Sequence, residues 1–148
     1  DGFLQIVDRK KDIFVTAGGK NVAPVLLEAL LTEDPLVLQA LVIGDDRNYL
    51  TALVVPDPDA LRAEIEAHNI PVAEAREALV HLDVLALYRE RIDRRLASLS
   101  GFEQIGKFTL LDRGFTIQSG EMTLKLSLRR SVIEANFAEQ IEAMYHKG

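Results

Sequence analysis

Two β-prone runs at 38–43 and 49–55 are separated by Gly44-Asp45-Asp46-Arg47-Asn48. Glycine tolerates positive φ, and Asp and Asn hydrogen-bond their own nearby backbone, so this stretch reverses a chain readily. The flanks are rich in Leu, Val, Ile, Tyr and Thr, and the whole segment reads as an antiparallel hairpin. The turn also accounts for the adjacent carboxylates of Asp45 and Asp46, which are not read as an acid–base pair.

Around that hairpin the pattern alternates between short strands and helices. Phe3, Leu4, Ile6 and Val7 form one apolar run, and Ile13, Phe14 and Val15 form another. The charged stretch Asp8-Arg9-Lys10-Lys11-Asp12 lies between them, giving two short strands around a polar connection. A glycine-bearing loop, Thr16-Ala17-Gly18-Gly19-Lys20-Asn21, comes next. Pro24 then opens a helix over about 24–32, since its missing N–H has no partner in a first turn. Beyond Asp57, Leu61, Ile65 and His68 share a helical face until Pro71 interrupts it. Leu85, Tyr88, Ile92, Leu96 and Leu99 recur at helical spacing, with Arg89, Glu90, Arg91, Asp93, Arg94 and Arg95 opposite them as a solvated face. Gly101 marks the stop.

A further strand is expected over 107–111, followed by a polar connection over 112–128 with a Leu124/Leu126/Leu128 alternation. Ile133, Phe137, Ile141 and Met144 then space a terminal helix. Strands and helices mix without βαβ regularity, so the fold class is α+β. The expected architecture is a small mixed or antiparallel sheet flanked by helices, with an N-terminal two-stranded hairpin. One domain spans 1–148, divided into a hinge hairpin (1–16), a loop, helix and hairpin unit (17–56), a helical region (57–100) and a closing region (101–148). An opening in mid-hairpin reads as a piece of a longer chain.

The chain contains no cysteine, so it supplies no thiolate metal site and no thiol nucleophile. No apolar run approaches the ~18 residues of a membrane helix, and no basic-then-apolar leader opens the sequence. A cytoplasmic domain is the expectation. The formal charge of -6 argues against nucleic acid as a partner. Its distribution is uneven, with residues 1–20 at +1, 21–100 at -7 and 101–130 at +2. Solvated surface charge explains this, and so would two basic segments meeting at an anionic ligand. His68, His81 and His146 lack partners at catalytic or zinc-binding spacing, and no metal site is expected.

Three segments have chemical content. Arg9 offers a planar fork suited to paired oxygens such as ribose hydroxyls or phosphate. Gly18-Gly19 lets a ligand approach backbone with no Cβ in the way. Lys125, near Arg129 and Arg130, can reach a phosphate as a point charge.

Together these segments resemble the C-terminal domain of the adenylate-forming acyl-CoA synthetase superfamily, specifically its long-chain fatty acid–CoA ligases. Gly2-Phe3-Leu4-Gln5-Ile6-Val7-Asp8-Arg9-Lys10-Lys11-Asp12 looks like the family's hinge motif. Gly18-Gly19-Lys20-Asn21-Val22-Ala23-Pro24 resembles the glycine loop that follows, and Ile43-Gly44-Asp45-Asp46-Arg47 the next hairpin. Gly120-Glu121-Met122-Thr123 opens a stretch similar to the family's closing motif.

The resemblance implies a two-step reaction. A carboxylate attacks the α-phosphate of Mg·ATP, giving acyl-adenylate and pyrophosphate, and coenzyme A then displaces AMP. Most of the ATP and acyl site would belong to a large N-terminal domain, the partner against which this mobile domain swings between steps. By the same resemblance Arg9 would bind the ribose hydroxyls, Lys11 would be the hinge, and Gly18, Gly19 and Lys20 would line the coenzyme A side. ATP, Mg2+, coenzyme A and a fatty acid would be the reactants, with Mg2+ drawing no ligand from this chain.

One departure stands out. In gapless register, Ser127 occupies the slot of the closing-motif lysine, Lys125 stands two places earlier, and Leu124 replaces the usual proline. In an extended strand residues two apart share a face about 6.6 Å apart, so a two-residue slip would let Lys125 serve as the catalytic lysine. Two other functions remain open: a fatty acyl-AMP ligase domain feeding a carrier protein, and a degenerate non-catalytic module that binds nucleotide or a partner.

Overall fold

The computed structural model describes residues 13–125 and 127–145. Two short strands, β1 (Phe14–Val15) and β2 (Asn21–Val22), precede α1 (Pro24–Thr32) and the hairpin formed by β3 (Val37–Ile43) and β4 (Leu50–Pro56). Next come α2 (Pro58–Ala67), α3 (Ala75–Ala78) and α4 (Leu82–Arg95), then β5 (Ile105–Leu110). Helices α5 (Arg130–Asn136) and α6 (Ala138–Tyr145) close the described chain.

The hairpin forms as its turn residues require, with Ala40 opposite Val54 and Ile43 opposite Thr51. Asp46 takes the left-handed conformation at φ 59° that Asp tolerates in turns. Gly44 is fixed by space: a Cβ there would sit 2.2 Å from Leu50 Cδ2 and 3.0 Å from the Phe14 ring. β5 joins the other edge of β4 in parallel, giving the order β3-β4-β5. A parallel neighbour needs a crossover connection, which α2, α3 and α4 provide. The three-stranded sheet is therefore mixed, as expected for the class.

Every residue of β4 is buried. Because successive side chains alternate faces, the strand feeds two separate cores. Leu50, Ala52 and Val54 pack with Leu27 and Leu31 of α1 and with Val84, Tyr88 and Ile92 of α4. Leu53 and Val55 pack with Leu111, Phe115, Ile133, Phe137, Ile141 and Met144. Burying each such large side chain contributes about 1.5–3 kcal/mol.

Several expectations shift. Within the described residues the N-terminal hairpin pairs β1 with β2 around the glycine loop; the strand expected before the charged stretch lies outside them. α3 carried no periodic signal because four residues make barely one turn. β5 begins at Ile105 rather than 107. The terminal helix breaks at Phe137, although all four residues of its stripe are buried.

The arginine-rich side of α4 is not simply solvated. Arg91 Nη1 donates to both oxygens of buried Asp34 at 2.9 and 3.1 Å, and Arg95 Nε donates to Oδ2 at 3.2 Å. Burial alone would raise the Asp34 pKa, but the Leu36 N–H and these arginines outweigh it and hold it below its ordinary value. Arg89 donates to the carbonyls of Ile105 and Gly106 at the head of β5.

Tyr88 is fully buried, and its hydroxyl donates to the Leu36 carbonyl at 2.8 Å. Tyr88→Phe removes one of two donors to that carbonyl, which keeps its bond from Asp57 N at 3.0 Å, at an expected cost of about 0.5–1.5 kcal/mol. Urea unfolding checks this, with a lowered midpoint at unchanged slope as the expected outcome.

Candidate functional site

The glycine segment is the tip of the β1–β2 hairpin. Phe14 pairs with Val22 and Val15 with Asn21, leaving 16–20 as the loop. Thr16 N donates to Lys20 O at 2.9 Å, Gly19 N to Thr16 O at 2.9 Å, and Lys20 N to Thr16 Oγ1 at 3.2 Å. Gly19 has φ +83° with nothing within 4 Å of a notional Cβ, so it is required by backbone conformation rather than by space. Gly18, Gly19 and Lys20 are all exposed, with Lys20 Nζ 5.7 Å from the Phe102 ring centroid.

The β3–β4 turn braces this hairpin. Asp46 N donates to Val15 O at 2.8 Å, Ala17 N to Arg47 O at 2.9 Å, and Val15 N to Asp45 Oδ1 at 3.3 Å. The same turn is tied to α6, because Arg47 pairs with Glu142 and lies 4.3 Å from the Tyr145 ring centroid.

The closing segment is a tight loop rather than an extended strand. Met122 bridges Leu128 in antiparallel fashion, Thr123 N donates to Ser127 O at 2.9 Å, and Ser127 N donates to Thr123 Oγ1 at 3.2 Å. Arg129 N closes the base by donating to Glu121 O at 2.7 Å. The expected slip along an extended strand therefore fails, because the chain reverses between Thr123 and Ser127. Lys125 sits exposed in the turn. Ser127 lines an open cleft with Val25, Glu28, Leu38, Met122 and Arg130.

Each end of the loop is held by a carboxylate–arginine pair. At the start, fully buried Glu121 takes a bidentate pair from Arg113, Nη1 to Oε1 and Nη2 to Oε2, both at 2.8 Å. Ser119 Oγ adds a bond to Oε1 at 2.7 Å, and Asn136 Nδ2 of α5 one to Oε2 at 2.8 Å. At the end, Arg130 donates to Glu28 of α1, Nη1 to Oε2 at 2.8 Å and Nη2 to Oε1 at 3.1 Å. Glu28 Oε2 also accepts from Val42 N at 2.7 Å, which covers the free edge of β3.

The structure thus brings Gly18, Gly19 and Lys20 together in one turn and Lys125 with Ser127 in another. Arg9 and Lys11 lie outside the described residues. Arg130, noted in the sequence only as a neighbour of Lys125, is engaged with Glu28. His68 does have an acidic partner, Glu64 Oε1 at 3.1 Å, but the contact is a local one on the surface of α2. No set of three metal-ligating side chains converges among the described residues. Glu28 and Arg113 went unmarked in the sequence, and Glu121 entered only as part of the Gly120–Thr123 motif, because a single charged residue carries no periodic signal.

The sequence pattern of the family described as the AMP-binding enzyme C-terminal domain matches residues 11–148. The chain belongs to that family. The AMP-binding C-terminal domain seen here is 38% identical over 148 residues to the long-chain-fatty-acid–CoA ligase FadD15 of Mycobacterium tuberculosis, covering 99% of this chain and 25% of that protein. It is 31% identical to the long-chain-fatty-acid–[acyl-carrier-protein] ligase AEE15 of Arabidopsis thaliana, covering 97% of this chain and 18% of that protein. In structure it is similar to the adenylation domain of a carboxylate reductase from Mycobacterium chelonae, with a TM-score of 0.75 and 29% identity over 93% of this chain and 20% of that one. The chain therefore spans about a quarter or less of the length of these relatives.

Hydrogen bonds from Arg113 outweigh the burial of Glu121, and together with Asn136 and Ser119 they push its pKa down from 4.5 to about 2. The folded value lies below the unfolded one, so this contribution is complete above about pH 4.5 and is lost as pH falls through about 2. It is worth on the order of 3 kcal/mol. Urea unfolding of wild type and Glu121→Gln between about pH 5 and 2 should show the variant less stable at the upper end, with the gap closing toward the lower.

Proposed function

We propose that the intact enzyme is an ATP-dependent long-chain fatty acid–CoA ligase, which activates a fatty acid as acyl-AMP and transfers the acyl group to coenzyme A. The observation that carries this reading is the 38% identity to a long-chain-fatty-acid–CoA ligase across 99% of the chain. In this reading the chain swings against its own N-terminal domain about Lys11, with Arg9 on the ribose hydroxyls. Mg2+ arrives with ATP, and this chain is assigned no metal ligand. The working compartment is the cytoplasm; among the described residues no helix is long and apolar enough to cross a membrane.

Each half-reaction draws on a different loop. For thioester formation, the exposed tip at Gly18, Gly19 and Lys20 gives the pantetheine arm of coenzyme A a backbone surface free of side-chain bulk. For adenylation, Lys125 places a cation near the α-phosphate, where negative charge builds as the carboxylate attacks. Its position in a tight turn, held by the Thr123–Ser127 backbone pair, lets the ammonium extend away from the domain.

The likeness to AEE15 supports a second acceptor, a carrier-protein thiol in place of coenzyme A. Presenting the intact enzyme with each acceptor separates the two, since thioester forms on only the correct one. Ser127 in the usual lysine slot supports a third reading, a module that binds without catalysing, which predicts no pyrophosphate release at all.

Lys125→Ala in the intact enzyme is expected to slow pyrophosphate release from ATP and fatty acid by roughly 10²–10³-fold, about 2.7–4 kcal/mol. Conversion of supplied acyl-adenylate to acyl-CoA should stay near wild type. Ser127→Lys should rescue the variant only if the working slot is 127. Wild-type adenylation by Lys125→Ala would remove the lysine from the mechanism.

A further inference from the structure

Beyond the lysine itself, the closing loop depends on a clamp whose acid, Glu121, lies in the Gly120–Thr123 motif but whose donors no motif marks. Glu121 is fully buried, although a carboxylate is among the groups least often found so. Its cost is offset by four donors: two from the Arg113 guanidinium, one from the Ser119 hydroxyl and one from the Asn136 amide. Those donors come from three different places. Arg113 follows β5, Ser119 lies in the turn just before the loop, and Asn136 ends α5. Arg113 is held in turn, its guanidinium carbon 4.7 Å from the centroid of the Phe137 ring.

The backbone of Glu121 works at the same point. Its carbonyl accepts from Arg129 N at 2.7 Å, and its N–H donates to Thr116 O at 3.2 Å. The side chain thus fixes the loop's start to the core that contains Phe115, Ile133 and Phe137, while the carbonyl fixes its finish to its start. Everything between, Lys125 and Ser127 included, hangs from this knot.

We propose that Glu121 and Arg113 are positioning residues for the adenylation half-reaction, the bidentate pair of buried Glu121 with surface Arg113 setting where the closing loop presents its reacting cation. This rests on the ligase reading above and on the loop's place in adenylation. The glycine hairpin makes none of these contacts. It is rooted in the opposite core through Phe14 and Val22, so the thioester step draws on none of the clamp's own bonds.

The test uses Arg113→Lys in the intact ligase. Lysine keeps the charge but presents a single point donor in place of the planar fork, so the carboxylate stays paired while its orientation is released. Misplacing a reacting group by about 1 Å costs up to roughly 10²-fold. Pyrophosphate release should fall between roughly 10- and 10²-fold in kcat, with the KM values for ATP and fatty acid unchanged. Conversion of supplied acyl-adenylate to acyl-CoA should match wild type. Glu121→Gln, which sets an amide N–H2 against the surrounding donors, should show the same split more severely, and Ser119→Ala a milder form of it.

Equal losses in both half-reactions, or wild-type adenylation in Arg113→Lys where Lys125→Ala is impaired, would overturn the clamp while leaving the ligase reading in place. Wild-type adenylation in Lys125→Ala, Ser127→Ala and their double variant would instead overturn the reading of the closing loop on which the clamp rests.

Discussion

Strand β4 has no exposed face, so helices must cover the sheet twice, and the chain supplies a separate apolar set for each side. Leu50, Ala52 and Val54 draw α1, α2 and α4 onto one face, and Leu53 with Val55 draws the terminal helices onto the other. Parallel addition of β5 follows, because the helices of the first face have to be crossed before the chain can return to the sheet. Once β4 is placed, the connections at either end of the sheet have few options left.

The two loops of interest are built on different sides of this arrangement. The glycine hairpin buries Phe14 and Val22 in the α1–α4 core and is braced by the β3–β4 turn. The closing loop packs Met122 and Leu128 against the α5–α6 core and is knotted by Glu121. Under the proposed ligase reading, two chemical steps served by two faces need loops that hold their shape separately, and two cores divided by one sheet provide that. The sides are joined by Arg130–Glu28, from the end of the closing loop to α1, and by Arg47–Glu142, from the β3–β4 turn to α6.

Much of this was legible in the residues. The turn chemistry of 44–48 gave the central hairpin, the stripe through Tyr88 and Ile92 gave α4, and Pro24 marked the start of α1 within a residue. Motif likeness singled out both loops of interest. What stayed hidden was long-range pairing. Nothing local says that Arg91 and Arg95 turn inward to Asp34, since a charged helical face looks the same solvated or paired. Leucine alternation at 124, 126 and 128 suggested a strand, but the bond from Thr123 N to Ser127 O closes a loop there, leaving Leu124 almost wholly exposed. Glu121 was legible only as a motif letter, and its burial stayed hidden because it depends on donors at 113, 119 and 136 that only the fold assembles.

The central claim is that the pairing of buried Glu121 with Arg113 holds the closing loop independently of the glycine hairpin, and amide hydrogen exchange on the intact enzyme tests it most directly. In Arg113→Lys the Thr123 and Arg129 amides, both bonded within the closing loop, should exchange faster than in wild type. The Thr16, Ala17 and Gly19 amides of the glycine hairpin should keep their wild-type rates. Unchanged exchange at Thr123 and Arg129, or an equal rise in both loops, would contradict the account.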